Sequence, residues 1–587
     1  MGQATSVSAQ ARTQRYSPWQ RLRAVFYGRA TLVFEALIGL TLLLLVVLGD
    51  VIYFLGHGAN GSLTQALLKT IGLLSLQGQE VSSSDSAGAA LLVFNLLFSL
   101  LFLQSVLNAV RAALTKRDPR IRQLGLAATL GDHVIVCGVG RVGLRVLSRL
   151  VASGIPVTAI ERDWESALVP RALALGVPVV VGDARESPTL RNAGLAHARA
   201  VIACIDGDLL DVEIALSARA ERPDIRVILR AFNEDFDRGL ENSFGANSAF
   251  STSALAAPTF AAATLSRDIE YVLRFAGVLY GVACLVVTDR IEQGGLTMRQ
   301  LEERYNVRAL HQQRGDVSMP DRPLIVGDAL TLLGTLPALD AVRAAGLGER
   351  AGVADAPPLR QTAEQDTVII CGLGKVGYRV VRLLHAQSPR PRIVVVYRED
   401  EALSFAKHIS QLDDVSVISG DARDAETLAQ AGLDRAFAVA AITSDDLTNL
   451  QIGLEARRLQ PGVHVVLRVF SDTLAEKLVD LFGIHTTYST SDLASPTLAA
   501  AAVLGDVSRA FFTEGRLYAM ARFAIHADHP LNGLNVAAIR KQYGATVLGL
   551  GQGEAQTALP SFSASVATGD EVTLVAPLDV LARLRGR

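Results

Sequence analysis

From residue 131 onward the chain is written twice. One copy opens "DHVIVCGVGRVGLRVLSRL" and the other "DTVIICGLGKVGYRVVRLL"; further on, "VILRAFNEDFDRGLENSFGANSAFSTSALAAPTFAAA" is answered by "VVLRVFSDTLAEKLVDLFGIHTTYSTSDLASPTLAAA". Residues 201–283 match 439–521 at a constant offset of 238, and Arg230/Arg468, Phe232/Phe470, Pro258/Pro496 and Tyr280/Tyr518 all fall on it. Tandem duplication is the economical account, and it limits the fold, because whatever one copy forms the other forms too.

Each copy begins as a βαβ unit. An apolar run (VIVCG, VIICG) meets GxGxxG, then a stretch of helical period, then a second apolar strand (PVTAIERD, IVVVYRED). A third strand follows in VPVVVGDA and VSVISGDA, and a fourth in ARAVIAC and AFAVAAI. Strands alternating with helices predict a parallel, doubly wound, Rossmann-like sheet. Gly138, Gly140 and Gly143 allow a tight turn and close approach of a ligand to a helix N-terminus, a place that favours anions; Gly372, Gly374 and Gly377 do the same in the second copy. With their neighbours Val139, Arg141, Val142, Leu373, Lys375 and Val376 they are the candidate phosphate-binding loops. Glu161 ends the second strand, 23 residues after Gly138, where an acid accepts hydrogen bonds from ribose hydroxyls; Arg162 follows it. The matching position in the second copy is Tyr397, followed by Arg398, so that copy has lost the simplest ribose contact. Asp183 (with Ala184) and Asp421, each in a Gly-Asp-Ala, are placed on the rim where such ligands lie, or else are turn and helix-capping acids. The competing reading of the glycines is close helix–strand packing alone.

Each copy closes in turn-separated β-runs, "PLIVGDALTLLG" and "FSASVATGDEVTLVAP", expected to form a small α+β lobe. The expected layout is a tail (1–29), a two-span segment (30–114) with a loop at about 62–80, a linker (115–130), a first Rossmann-like domain (131–276) with its lobe (277–347), a Pro/Ala-rich linker (348–365), and a second Rossmann-like domain (366–514) with its lobe (515–587).

The two spans come from hydropathy. Half of the residues are apolar, and the excess lies near the N-terminus. TLVFEALIGLTLLLLVVLGDVIYF (31–54) and AGAALLVFNLLFSLLFLQSVLNAV (87–110) are each long enough for a hydrocarbon core of about 30 Å. The first is too long for a signal peptide and lacks a small-residue cleavage site. Arg12, Arg15, Arg21, Arg23 and Arg29 precede it, and Arg111, Lys116, Arg117, Arg120 and Arg122 follow the second, so both termini are expected to be cytosolic in a multi-pass cell-membrane protein. A net charge of −2 gives no global field for nucleic acid. Cys137, Cys204, Cys284 and Cys371 have no metal-ligand spacing and read as small buried hydrophobes.

Two spans around a loop that dips back, then two GxGxxG units with Gly-Asp-Ala motifs and small terminal lobes, resemble the prokaryotic potassium channels that carry two cytosolic RCK domains (regulators of potassium conductance) per chain. The resemblance covers about residues 30–587 and rests on "CGVGRVG…ERD…GDA" and "CGLGKVG…GDA". It implies a homotetramer in a lipid bilayer and a ring of RCK units. The ring would be gated by NAD(H), an adenine nucleotide or a divalent cation, and the permeant ion would be K⁺ or Na⁺.

The family's extracellular loop forms a pore helix and a filter, usually TVGYG, whose carbonyl rings replace the ion's water. Here Ser62 is placed to cap a helix over 62–73, and the filter then falls on Leu74, Ser75, Leu76, Gln77 and Gly78, which keeps only the second glycine. A rival alignment sets Thr70, Ile71 and Gly72 on TVG. The leading expectation is a ligand-gated cation channel of open selectivity; the alternative is a membrane-anchored sensor or regulatory subunit that does not conduct. An NAD-dependent oxidoreductase is a third class, but the histidines are scattered, no Cys/His or Ser/His/Asp constellation stands out, and His464 reads as structural within the strand-like HVVLRVF. The run Asp206, Asp208, Asp211, Glu213 is rich in acid yet matches no calcium loop and reads as a solvated helix start.

Overall fold

An apolar strand that ends in Gly-x-Gly has to turn sharply into the next helix, and a computed structural model shows this happening twice. The structure describes residues 13–26, 118–231, 247–288, 296–313, 321–349, 365–471, 486–553 and 555–586, with isolated positions or short runs between 40 and 104, at 243–245, at 359 and between 474 and 484. The chain divides into two compact units, one of Tyr16–Thr129 and one of Leu130–Arg587 together with the N-terminal residues up to Arg15.

In the smaller unit the helix Pro18–Phe26 packs on the helix Pro119–Ala127. Asp118 caps the second by accepting from the Arg120 amide at 2.9 Å, with proline in the first turn where its missing N–H is no loss. The described positions between 40 and 55 and between 93 and 104 are all helical. Leu40, Leu44, Leu48 and Ile52, spaced four apart, are each more than half exposed, as are Val93, Leu97 and Leu101. Among the described residues no helix is long and apolar enough to cross a membrane. Most of the two expected spans, and the whole expected filter Leu74–Gly78, lie outside those residues.

The larger unit holds two six-stranded parallel sheets of the same order. In the first copy the strands are β1 (His133–Cys137), β2 (Val157–Glu161), β3 (Val179–Val181), β4 (Ala198–Ala203), β5 (Arg226–Ala231) and β6 (Ala249–Ser251), arranged β3-β2-β1-β4-β5-β6. Two helices start beyond the carboxyl ends of β1 and β4, α1 (Arg141–Ala152) and α2 (Asp208–Glu221). The central strands are buried almost along their whole length because helices cover both faces.

The helix after the sixth strand, α3 (Thr252–Leu265), is buried almost all round. It joins a core with the second copy's sheet, and packs on the second copy's Gly-rich helix (Lys375–His385). Its counterpart, Thr490–Leu504, returns the favour: it packs on α1 and shares a core with the first sheet and the second lobe. The two exchanged helices also touch each other, and their alanine-rich surfaces allow that approach. Each has a proline inside it, which removes an amide and leaves the carbonyl four residues back without its helical donor. For Pro258 that carbonyl is Ala254, and Arg509 of the second copy donates to it at 3.2 Å. For Pro496 it is Asp492, which accepts from Ser495 Oγ at 3.2 Å. The exchange is pinned by Arg145 and Arg149 on Asp492 at 3.0 and 2.5 Å, whereas on the opposite side Arg379 donates to Ser253 at 2.5 Å. Arg226 caps the far end of one exchanged helix through the carbonyls of Ala501 and Gly505; at the same place in the second copy His464 Nε2 donates to Ala263 at 2.9 Å.

The lobes are antiparallel. Two strands, Ile269–Phe275 and Val278–Val287, pair as a hairpin, and Arg509–Thr513 pairs likewise with Arg516–Ala524. The domain boundaries expected at 276/277 and 514/515 fall at the turns of these hairpins. Ala276 (φ 48°) with Gly277 (φ 80°), and Glu514 (φ 48°) with Gly515 (φ 73°), are left-handed hairpin turns, so a punctuation mark inside the lobe reads in sequence as its edge. The lobes meet through the helices Met298–Tyr305 and Val536–Tyr543, which occupy the same place in the two copies. Glu302, fully buried, accepts from Arg540 at 2.5 and 2.7 Å and from the Ala309 amide at 2.7 Å.

Removing one partner leaves the other charge buried and alone. Glu302→Ala is therefore expected to destabilise the protein by about 3–5 kcal/mol in denaturant unfolding, and Glu302→Met with Arg540→Leu by far less. Burial pushes the His464 imidazole down to about 4 from 6.5. Its neutral form is favoured in the fold, so stability is complete above pH 6.5 and is lost as pH falls toward 4. Wild type should lose ~3 kcal/mol more over that interval than His464→Gln, measured by unfolding at each pH.

Candidate functional site

The first Gly-rich turn is built by contact as well as by conformation. Gly138 has φ +96°, and a Cβ there would stand 2.6 Å from Ile205 Cγ2. A Cβ at Gly143 would stand 1.9 Å from the Gly138 carbonyl oxygen, so α1 starts hard against the end of β1. These two glycines serve packing. Gly140 does not, because a Cβ there meets no atom within 4 Å, and the residue lines a cavity of about 570 Å³.

That cavity lies at the carboxyl ends of the first sheet's strands, beside the neighbouring pair β1 and β4, where the strand order reverses. Of the residues expected from sequence, Gly138, Gly140, Arg141, Val142, Glu161, Arg162, Asp183 and Ala184 line it; Val139 and Gly143 complete the turn behind. Glu161 Oε2 accepts from the Val139 amide at 2.7 Å, and Oε1 from the Asp163 amide at 3.1 Å, which fixes the acid at the mouth of the turn. Asp183 accepts from the Arg185 amide at 3.0 Å and from its guanidinium at 2.7 Å, and hydrogen bonding from Arg185 holds its carboxyl below the usual carboxylate range. It is thus a turn acid and a cavity-lining acid at once.

Sequence reasoning did not place the other wall. Arg230, nearly buried, reaches from β5 to the Ile205 carbonyl at 2.6 Å and to Asp206 at 2.5 Å. The far side belongs to the second copy: Ser444, Arg468, Phe470, Thr490 and Ser491. Two guanidinium groups approach the Phe470 ring, Arg141 at 4.6 Å and Arg468 at 4.4 Å from its centroid, and burial brings Arg468 down to about 10. The exchanged helix that begins at Thr490 brings its own first residues to the cavity. A signal for this wall existed, since Arg468 and Phe470 sit on the repeat offset, but nothing in the spacing says that they face the other copy.

In the second copy Gly372 (φ +106°), Leu373, Gly374, Lys375, Val376 and Gly377 repeat the turn; a Cβ at Gly377 would stand 2.1 Å from the Gly372 carbonyl oxygen, and Gly374 is open. Tyr397 packs on the core where Glu161 reaches for an amide. Asp421 pairs with Arg423 at 2.5 Å as Asp183 does with Arg185. None of these, nor Arg398, lines the 570 Å³ cavity. The acidic run is dispersed: Asp206 is on the rim, Glu213 pairs with Arg185, and Asp211 is buried, which corrects its reading as part of a solvated helix start. Among the described residues no group of three acids, histidines or cysteines is placed to hold a metal ion.

The TrkA-N domain family matches this chain twice, over residues 134–252 and 368–490. Each match spans the parallel sheet and its Gly-rich turn and ends where the exchanged helix begins. The Trk system potassium uptake protein TrkA homolog of Pyrococcus horikoshii is 33% identical over 102 residues, 17% of this chain and 42% of that protein. The probable potassium channel protein 2 of Methanocaldococcus jannaschii is 32% identical over 123 residues, 20% of this chain and 35% of that protein. The chain thus spans less than half of either relative. A solved structure described as the GsuK channel bound to NAD shares the fold with a TM-score of 0.56 at 18% identity, over 95% of this chain and 100% of that one.

The cavity fits a nucleotide in size, in its Gly-rich helix N-terminus, and in its five arginines against three acids. Gly140→Ala should fold normally and lose at least about tenfold in ADP or NADH affinity by calorimetry, because its methyl fills the cradle. Gly143→Ala, which meets backbone instead, should lower the melting temperature with or without nucleotide.

Proposed function

We propose that this chain is a ligand-gated cation channel of the potassium-channel kind, in which a nucleotide bound to the first TrkA-N domain controls a tetrameric pore. The observation that carries it is the cavity shared between copies: a ligand there touches the Gly-rich turn of one TrkA-N domain and Arg468 and Phe470 of the other. It therefore has different free energies in different arrangements of the two, which is the requirement for a ligand to shift a conformational equilibrium. NAD(H) or an adenine nucleotide is the proposed ligand, supported by the GsuK channel of the same fold, which is described as bound to NAD; a divalent cation is a further candidate regulator. The protein is proposed to act by binding, not as an enzyme.

The exposed apolar row Leu40, Leu44, Leu48 and Ile52 suits contact with lipid or with neighbouring pore helices. Leu209 and Leu447, exposed at the same place on the two copies, suit assembly between chains. Both termini are proposed to be cytosolic and the permeant ion to be K⁺ or Na⁺. The absence of TVGYG from 70–80 favours a second reading, a membrane-anchored nucleotide sensor or regulatory subunit of ion transport that does not itself conduct.

Purified protein in planar bilayers, with K⁺ on one side and Na⁺ on the other, tests this directly. NADH or ADP on the cytosolic face should change open probability several-fold. Arg468→Ala and Phe470→Ala should blunt that response about tenfold without altering unitary conductance. Silence under every ligand, from protein shown to be folded and tetrameric, would leave the sensor reading in its place.

A further inference from the structure

Beneath the first cavity lies a carboxyl group with half of its hydrogen bonding missing. Asp211, on α2, is fully buried. Its Oδ1 accepts from the Ile205 amide at 3.0 Å, and its Oδ2 has no partner among the described residues. The equivalent residue in the second copy is Asn449, whose bonds are complete. Asn449 Oδ1 accepts from the Thr443 amide at 2.9 Å, and Nδ2 donates to the carbonyls of Thr443 at 3.2 Å and Arg468 at 2.9 Å. The surroundings correspond as well, since Arg230 donates to the Ile205 carbonyl as Arg468 does to that of Thr443. By this equivalence Asp211 Oδ2 stands where Asn449 carries an NH₂ group, against the carbonyls of Ile205 and Arg230. A bare carboxylate oxygen repels both carbonyls, whereas a protonated one can donate.

We infer that Asp211 is a positioning residue that works in its neutral, protonated form, as the counterpart of Asn449, tying α2 to the ends of β4 and β5 and so setting the Ile205–Asp206 turn and Arg230 on the wall of the ligand cavity. The charged and titratable groups around it are Arg230 from β5, Asp206 and Asp208 from the turn and the start of α2, and the thiols of Cys204 and Cys137 from β4 and β1. Burial dominates over the attraction of Arg230 and raises the carboxyl to about 8. Ionisation above that pH breaks the tie and loosens the wall. The ligand half of this inference rests on the nucleotide reading above; the protonation half does not.

The experiment uses the full chain and Asp211→Asn, which supplies the amide without titrating. In ligand-free thermal melts the folded state of wild type holds a proton that the unfolded state releases above about pH 4, so wild-type stability falls as pH rises toward 8 and then levels. The melting temperature of Asp211→Asn relative to wild type should accordingly climb from pH 5 to 8 and stay constant beyond. A difference independent of pH would overturn the protonated state. NADH and ADP titrations at pH 7 and 9 then test positioning. Wild type should bind at least about fivefold more weakly at pH 9 than at pH 7, and Asp211→Asn equally at both. Equal pH dependence in the two proteins would overturn the link to the cavity. If neither binds either nucleotide at any pH, the nucleotide reading and the positioning role fall together, while the melts still decide the protonation.

Discussion

The helix after the sixth strand of each sheet is apolar on every side, and no single sheet can cover it. Its burial demands a second core, and the other copy provides one. Much else in the larger unit depends on that exchange. The lobe that hangs from each exchanged helix is carried toward the other copy's sheet; the prolines inside the helices become tolerable because hydrogen-bond donors, from Arg509 in one case, supply the freed carbonyls; and the start of the second exchanged helix, at Thr490, becomes a wall of a cavity that belongs by sequence to the first copy. The cores themselves record this, since one mixes the first sheet with the second lobe and another mixes the second sheet with the first lobe.

The Rossmann-like turn was legible because its signal is local. A strand, two glycines and a helix lie within a dozen residues, and the acid that answers them, Glu161, ends the next strand. The internal repeat made the second sheet equally plain. What stayed hidden is what depends on which copy touches which. Hydrophobic periodicity says that a face is buried but carries no address, so Arg468 and Phe470 looked like landmarks of a duplication and not like partners of Arg141. The boundary expected at 276/277 falls at a turn for a related reason, since Ala276–Gly277 has the residue chemistry of a linker while its strands make it a hairpin. Asp211 was grouped with neighbouring acids because spacing does not reveal burial.

The two copies have diverged where they meet. Arg149 and Asp492 form a bridge at positions where the other side has Leu383 and Ala254; a guanidinium caps one exchanged helix and an imidazole the other; Glu161 faces an amide where Tyr397 joins the core. A duplication that kept both halves identical would bring identical surfaces together about a dyad. These differences turn the dyad into an approximate one, and the cavity described above lies on one side of it.

The buried pair in the lobes gives this asymmetry a sharper meaning. Glu302 and Arg540 are the same position in the two copies, so they face each other across the approximate dyad. A lobe docked on its own kind would set carboxylate against carboxylate, or guanidinium against guanidinium, in a place that water does not reach. The two lobes are therefore complementary in the way of a plug and a socket, and neither is complementary to itself. Wherever copies of this chain gather, each first lobe needs a second, and having both on one polypeptide fixes their numbers as equal before any assembly begins.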